Sequence, residues 1–251
     1  MEVFEAITSR RAIHLGYYLD KPIPDSILRQ VLEAGRWAPS AANNQPCHFL
    51  VIKDSSSRKW VIDHSLEILK LTAQIGRPPH REALRKLVEY LLAKELVVPP
   101  VMIITLAEQD KRETHVYNHG GVHIMAASAA IQNMMLAAWA LRLGSVWLTF
   151  YDDVRVKARF GIPTELDMVG IVLLGYPVRI PRVPASIFGF GLRRRYSLEQ
   201  IVHQERFDEC KLEQQRRKDP YLHWIPEAER KKLVEEENKL AEMERKGNRA
   251  K

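Results

Sequence analysis

Apolar positions at helical spacing through Ile27, Leu28, Val31, Leu32 and Ala34 predict a helix, capped by Asp25 or Ser26 and stopped before Pro39. A shorter apolar set, Val3, Phe4, Ile7 and Ile13, predicts a helix that runs into the basic step Ser9-Arg10-Arg11. The small polar stretch Ser40–Gln45 reads as a loop, and His48–Ile52 as a short buried strand. Residues 57–95 read as two helices broken near Gly76–Pro79, and Val101–Ala107 as a strand. Ile124–Leu143 predicts a long helix, apolar on almost every face and ended by Gly144-Ser145. Strands over Val146–Phe150 and Val169–Leu174 follow, with a short helix over Val154–Phe160 between them. A proline-marked loop, 180–184, leads to Ser186–Arg195, and a helix begins over Leu198–Phe207. Strands interleaved with a larger share of helix place the chain in the α/β or α+β class.

The 124–143 run is long enough to cross a membrane, but Ser128, Gln132, Asn133 and Arg142 interrupt it and no other segment resembles it. A helix buried all round in a core or a subunit interface accounts for it better. With 251 residues the chain suits one substantial domain with an appendage, here 1–207 followed by a charged helical extension over 208–251. The extension carries Leu233 and Leu240 one heptad apart, too few repeats for a coiled coil. Cys47 and Cys210 form neither a disulfide framework nor a CxxC pair, and the N-terminus lacks the apolar core of a signal peptide. A reducing, cytoplasmic compartment is the expectation.

The net charge of +7 raises the question of nucleic acid. From Glu205 onward, however, 13 Lys and Arg face 12 Asp and Glu, so the surplus belongs to the body. There it gathers at Arg10-Arg11 and Arg193–Arg195, two short clusters that suit a small anion better than a duplex. His119 and His123 stand four apart, but no carboxylate or cysteine completes a metal set and Gly120-Gly121 separates them. Gly189-Phe190-Gly191 starts like a dinucleotide fingerprint, yet Arg194 stands where the last glycine belongs. No GxxxxGK[ST], GxSxG or paired carboxylate announces itself. What remains is a site made by positioning, in which a cofactor carries the chemistry and the protein supplies charge, hydrogen bonds and shape.

In order along the chain, several motifs together resemble the FMN-dependent nitroreductase family. They are Ser9–His14 (SRRAIH), Leu32–Pro46 (LEAGRWAPSAANNQP), Ala130–Ala138 (AIQNMMLAA), Leu143–Trp147 (LGSVW), Phe160–Pro163 (FGIP), Leu174–Pro177 (LGYP) and Leu198–Val202 (LEQIV). The resemblance implies an α+β fold with a central mixed sheet flanked by helices, an intertwined homodimer, and one FMN at each dimer interface. It implies ping-pong transfer of hydride from NAD(P)H through the flavin to a nitroaromatic, a quinone or a free flavin. Flavin fragmentation and dehalogenation also occur on this scaffold, and a non-catalytic flavin- or partner-binding protein is the alternative outside enzymes. Neither nucleic acid, nor a membrane, nor a metal enters this picture, and no side chain acts as the catalyst.

By the same resemblance, Arg10, Arg193 and Arg195 hold the phosphate, for which a guanidinium fork is suited. Arg11 adds its backbone or charge. Pro39, Ser40, Ala41 and Asn43 match the loop that reaches the flavin from the other subunit, with Gln45 as a further contact. Thr149 and Phe150 lie where a backbone N–H faces the flavin ring. The departures are Ala12 and His14, where the family has a hydroxyl and then a permanent cation, Cys47 in place of a tryptophan, and Phe150 in place of a glycine. Read without the resemblance, Arg10-Arg11 is a helix-end feature, Asn43 a turn residue, and Cys47 a small buried hydrophobe. Likewise Trp147 and Tyr151 read as core, and Gln132 and Asn133 as contacts across a dimer.

Overall fold

The computed structural model describes residues 1–75, 80–93, 97–109, 121–178 and 197–210. The chain divides into two compact units, Met1–Pro181 and Arg182–Lys251. In the first, helices α1 (Val3–Ser9) and α2 (Asp25–Arg36) precede strand β1 (Cys47–Ile52), and α3 (Ser55–Ile75) and α4 (His80–Leu92) follow it. Then come β2 (Val101–Glu108), α5 (Val122–Ala140), β3 (Gly144–Leu148), α6 (Asp153–Phe160) and β4 (Leu166–Gly175). Of the second unit, the described part contains α7 (Leu198–Ile201), a single turn in which the Ser197 N–H donates to Gln200 Oε1 at 2.9 Å. The helix expected to continue toward Phe207 stops there, because Val202 is extended and Glu205 takes a left-handed φ of 56°.

The fold is α+β. Its sheet has the order β1-β2-β4-β3 with every neighbouring pair antiparallel. Among the described residues, the parallel part of the expected mixed sheet is one bridge, Ala12 to Ser145. Val101, Ile103, Val172 and Leu174 pack against Leu28 and Val31 of α2 and Ile131, Met134 and Met135 of α5. The alternate residues Met102, Ile104, Ile171 and Leu173 are just as inaccessible. Both faces of the central strands are therefore covered, which explains why β2 and β4 read as continuous apolar runs although they pair antiparallel. The edge strands β1 and β3 are only partly buried.

Three local expectations change. Pro24, rather than Asp25 or Ser26, caps α2: its carbonyl takes the N–H groups of Ile27 and Leu28, while Asp25 pairs with Lys53. The chain leaves α5 through Arg142, whose φ is +65°, and Gly144-Ser145 opens β3 instead of ending the helix. Gly144 is used for its missing side chain, since a Cβ there would stand 2.6 Å from Ile13 Cγ1. Finally, α5 is not buried all round within one chain. His123, Ala126, Ala127, Ala130, Ile131, Met134, Met135 and Ala138 face inward, while Met125 is 62% exposed and Gln132 is exposed with it.

Candidate functional site

The basic step after α1 is built into the sheet. The Arg10 N–H closes the helix on the Ala6 carbonyl at 3.0 Å, and Trp139 Nε1 of α5 donates to Ser9 Oγ at 2.8 Å. The chain then runs extended beside β3, where the Ile13 N–H donates to the Ser145 carbonyl at 3.0 Å. Ile13 is fully buried, and the Tyr18 hydroxyl donates to its carbonyl at 2.5 Å. Buried backbone groups satisfied in this way hold a segment in register. Arg10, Arg11, Ala12 and His14 are thereby fixed at the Gly144–Gly175 end of the sheet, all four half-buried. Burial pushes the His14 pKa below its ordinary value, which favours the neutral ring.

At the end of α2, Pro39 leads into a 3-10 turn, Ala41–Asn43. The Ser40 carbonyl accepts the Asn43 N–H at 3.1 Å and Ser40 Oγ accepts the Gln45 N–H at 2.9 Å. Ala42, Asn43 and Gln45 all have positive φ, at 48°, 56° and 48°. Left-handed backbone costs a non-glycine residue roughly 1–2 kcal/mol, and such strain gathers where a loop is held for a purpose. Ala41, Asn43, Asn44 and Gln45 present themselves to solvent. Behind the loop, a small cleft is lined by Ser40, Ala41, Asn44, Pro46, Glu108 and the first turn of α5. Here His123 Nε2 meets Asp167 Oδ2 at 2.7 Å. The reading of His123 as half of a histidine pair did not foresee this partner, which is 44 residues away. His119 lies outside the described residues, and among those described no three His, Cys, Asp or Glu side chains gather as for a metal.

Thr149 and Phe150 follow β3 directly, Thr149 exposed and Phe150 half-buried. The turn they begin ends at Asp152, whose Oδ1 accepts the Arg155 N–H at 3.1 Å and so caps α6. Tyr151 reaches the Met168 carbonyl at 3.4 Å, and its hydroxyl pKa is pushed up to about 12 by burial and then by Asp153. The Asp152 N–H donates to His64 Nε2 of α3 at 3.0 Å. No motif marks His64; a lone histidine between Val61, Ile62 and Leu69 was the only signal available.

The register of the sheet separates these groups. Ala12 bridges Ser145, Ser145 pairs with Leu174, and Leu174 pairs with Val101. The loop enters β1 at Cys47, which pairs with Ala107. Val101 to Ala107 is roughly 20 Å of strand, and the edge strands β3 and β1 stand about 14 Å apart across the sheet. Within one chain Arg10–His14 and Ser40–Gln45 thus lie at opposite corners. Thr149 lies about 13 Å along β3 from Ser145. Arg193 and Arg195 lie outside the described residues.

The sequence model of the Nitroreductase family matches residues 7–176. The chain belongs to the nitroreductase family. A protein of Archaeoglobus fulgidus, provisionally described as an NADH dehydrogenase/NAD(P)H nitroreductase, is 31% identical over 180 residues, 70% of this chain and 86% of its own. Iodotyrosine deiodinase 1 of Rattus norvegicus is 26% identical over 215 residues, 80% of this chain and 68% of its own. A solved structure of a provisionally described nitroreductase from Desulfovibrio desulfuricans in complex with FMN superposes with a TM-score of 0.53. It is 31% identical, covering 83% of this chain and 99% of the other.

The family match takes in Arg10–His14, the Ser40–Gln45 loop and the turn after β3, and ends before Arg193. As a nitroreductase-family chain, this one carries guanidinium groups at Arg10-Arg11 and amide side chains at Asn43, Asn44 and Gln45, at opposite corners of the sheet within one chain. That donor set fits an anionic, planar heterocycle. Cys47 opens β1 half-buried, its thiol pKa raised by burial, as expected of a packing residue.

Proposed function

We propose that this protein is an FMN-dependent oxidoreductase that draws on NAD(P)H and reduces an electron-poor acceptor, a nitroaromatic, a quinone or a flavin, by a ping-pong course. The observation that carries this reading is the placement of two half-sites at opposite corners of one sheet. A second copy, turned about a two-fold axis, brings the corner with Arg10 against the partner's loop, and symmetry then yields two composite sites. The outward stripe of α5, with Met125 exposed and Ala129 and Leu136 half-buried beside the polar Gln132, is the surface such a homodimer would cover.

In this reading Arg10 holds the phosphate and Arg11 adds charge beside it. The 13 Å of β3 between Ser145 and Thr149 leaves room for the ribityl chain and part of the ring between the two contacts. Pro39, Ser40, Ala41, Asn43 and Gln45 close the site from the partner copy, with Asn43 and Gln45 already in left-handed backbone. Thr149 and Phe150 offer backbone N–H groups to the ring, and the Phe150 side chain narrows the space over it. When bound, FMN supplies the redox chemistry, taking hydride from NAD(P)H and returning it to the acceptor. The protein's part is to orient, to offset charge and to leave one face open. The free thiols Cys47 and Cys210 accord with a reducing, cytoplasmic setting. We assign flavin binding to residues 1–207 and give the charged extension, 208–251, no part in it. The deiodinase relative supports a second reading, reductive dehalogenation on the same site, and chromatography of the products separates the two.

Mixing two defective variants tests the composite site. Arg10→Ala alone should weaken FMN binding by about tenfold or more, a charge-assisted bond being worth about 1.5–3 kcal/mol. Asn43→Ala should damage the other half. Co-refolded in equal amounts, the two should regain about a quarter of the wild-type sites, because half of the dimers are mixed and each has one intact site. Absence of any recovery, or a purified chain that takes up no FMN and shows no bleaching with NADH or NADPH under argon, overturns the reading.

A further inference from the structure

His64 belongs to none of the motifs above, is 3% exposed, and stacks on Trp60 with ring centroids 5.0 Å apart. Its Nε2 receives the Asp152 N–H, so the neutral ring carries its proton on Nδ1. Nδ1 is buried without a hydrogen-bond partner, 3.9 Å from the Glu67 carboxylate, which Arg155 of α6 holds at 3.0 Å. Asp152 is thus gripped twice, by α3 through its N–H and by α6 through its carboxylate. Thr149, Phe150 and Tyr151 are strung between this anchor and the end of β3.

We infer that His64 is a positioning residue for the flavin-facing turn: its neutral ring holds Thr149–Asp152 in the form that receives the isoalloxazine, and protonation releases the turn. The inference rests on the proposed flavin site. Physically, a protonated ring would set an N–H against the Asp152 N–H, two donors with no acceptor between them. The charged groups facing the ring are Glu67 on its own helix and Asp152 and Arg155 at the start of α6, with Arg159 behind Trp60. Burial, and after it Arg155, pushes the His64 pKa below its ordinary 6.5, against the pull of Glu67 and Asp152. The anchor is therefore intact at neutral pH and fails on acidification. Because the folded pKa is the lower one, its contribution is complete above 6.5 and is lost as pH falls through the folded value.

The test compares the wild type with His64→Gln, whose amide oxygen accepts the same bond without titrating. Hydrogen exchange at the Asp152 amide, followed in the flavin-free protein from pH 8 to pH 5, should show protection lost in the wild type and kept in His64→Gln, after correction for intrinsic exchange. Over the same range the FMN dissociation constant of the wild type should climb more steeply, by up to one extra decade per pH unit below the His64 pKa. The FMN phosphate also titrates near pH 6, equally for both proteins, so the difference between them isolates His64. Identical pH profiles for the two, or Asp152 protection in the wild type that ignores pH, overturns the inference, and the wild-type protection alone decides even if His64→Gln fails to fold. Asp152 behaving as expected in a protein that binds no FMN at any pH overturns the flavin reading and leaves the anchor.

Discussion

Gly144→Ala probes the link between the sheet and the phosphate corner. The new methyl would meet Ile13 at Cγ1, Cβ and Cγ2, at 2.6, 2.9 and 3.2 Å. Ordinary carbon contact needs roughly 3.5–4.0 Å, so Ile13 must retreat by about 1 Å. Ile13 is fully buried and its N–H bonds to Ser145 at 3.0 Å, so it cannot rotate away without taking its backbone along. Overpacking of this kind costs about 1–3 kcal/mol, and the stretched bond adds about 1 kcal/mol. We expect a loss of about 2–4 kcal/mol in urea unfolding, with Tm falling by about 2–4 °C for each kcal/mol. Because Ile13 carries Arg10–His14 with it, FMN affinity should fall by about tenfold in protein that remains folded, the loss of one charge-assisted contact. Gly161→Ala is the control. It strains a left-handed C-cap, φ +64°, with no atom within 4 Å, and should cost about 1 kcal/mol without changing FMN affinity. If Gly144→Ala costs less than about 1 kcal/mol, or weakens FMN no more than Gly161→Ala does, the packing argument for the Arg10 corner is wrong.

Three further outcomes are expected. Tyr18→Phe removes the buried donor to the Ile13 carbonyl and should destabilise the protein by about 1–2 kcal/mol in denaturant unfolding. Ala42→Gly relieves left-handed strain at φ 48° and should raise stability by up to about 1 kcal/mol, offset in part by the unfolded-state entropy of glycine; a marked loss would mean that the loop is held otherwise. Asp152→Ala removes the α6 cap and should cost about 1 kcal/mol, and Asp152→Asn, which keeps an acceptor oxygen, should recover most of it in the same assay.

Much of the fold was legible along the chain because it follows from local periodicity. The 3.6-residue spacing of Leu28 and Val31 directs α2 onto the core, and the apolar run of β2 is the signature of a strand covered on both faces. The ends of elements were less legible, since Arg142 takes the left-handed turn that a glycine was expected to take, and Gly144 is needed elsewhere for close packing.

The residue types of the site, two arginines and a small amide-rich loop, were likewise present in the sequence, together with their ordered resemblance to a flavoprotein family. Their arrangement was not. Which corner of the sheet each piece occupies depends on strand order and register, pairings between distant residues such as Val101 and Leu174, 73 positions apart, and Ala12 and Ser145, 133 apart. His64 and Asp152, 88 residues apart, are joined by one backbone hydrogen bond, and His123 and Asp167 by one ring nitrogen. Such contacts leave no period to read, because they are made by packing whole elements together and not by the local preferences of the chain.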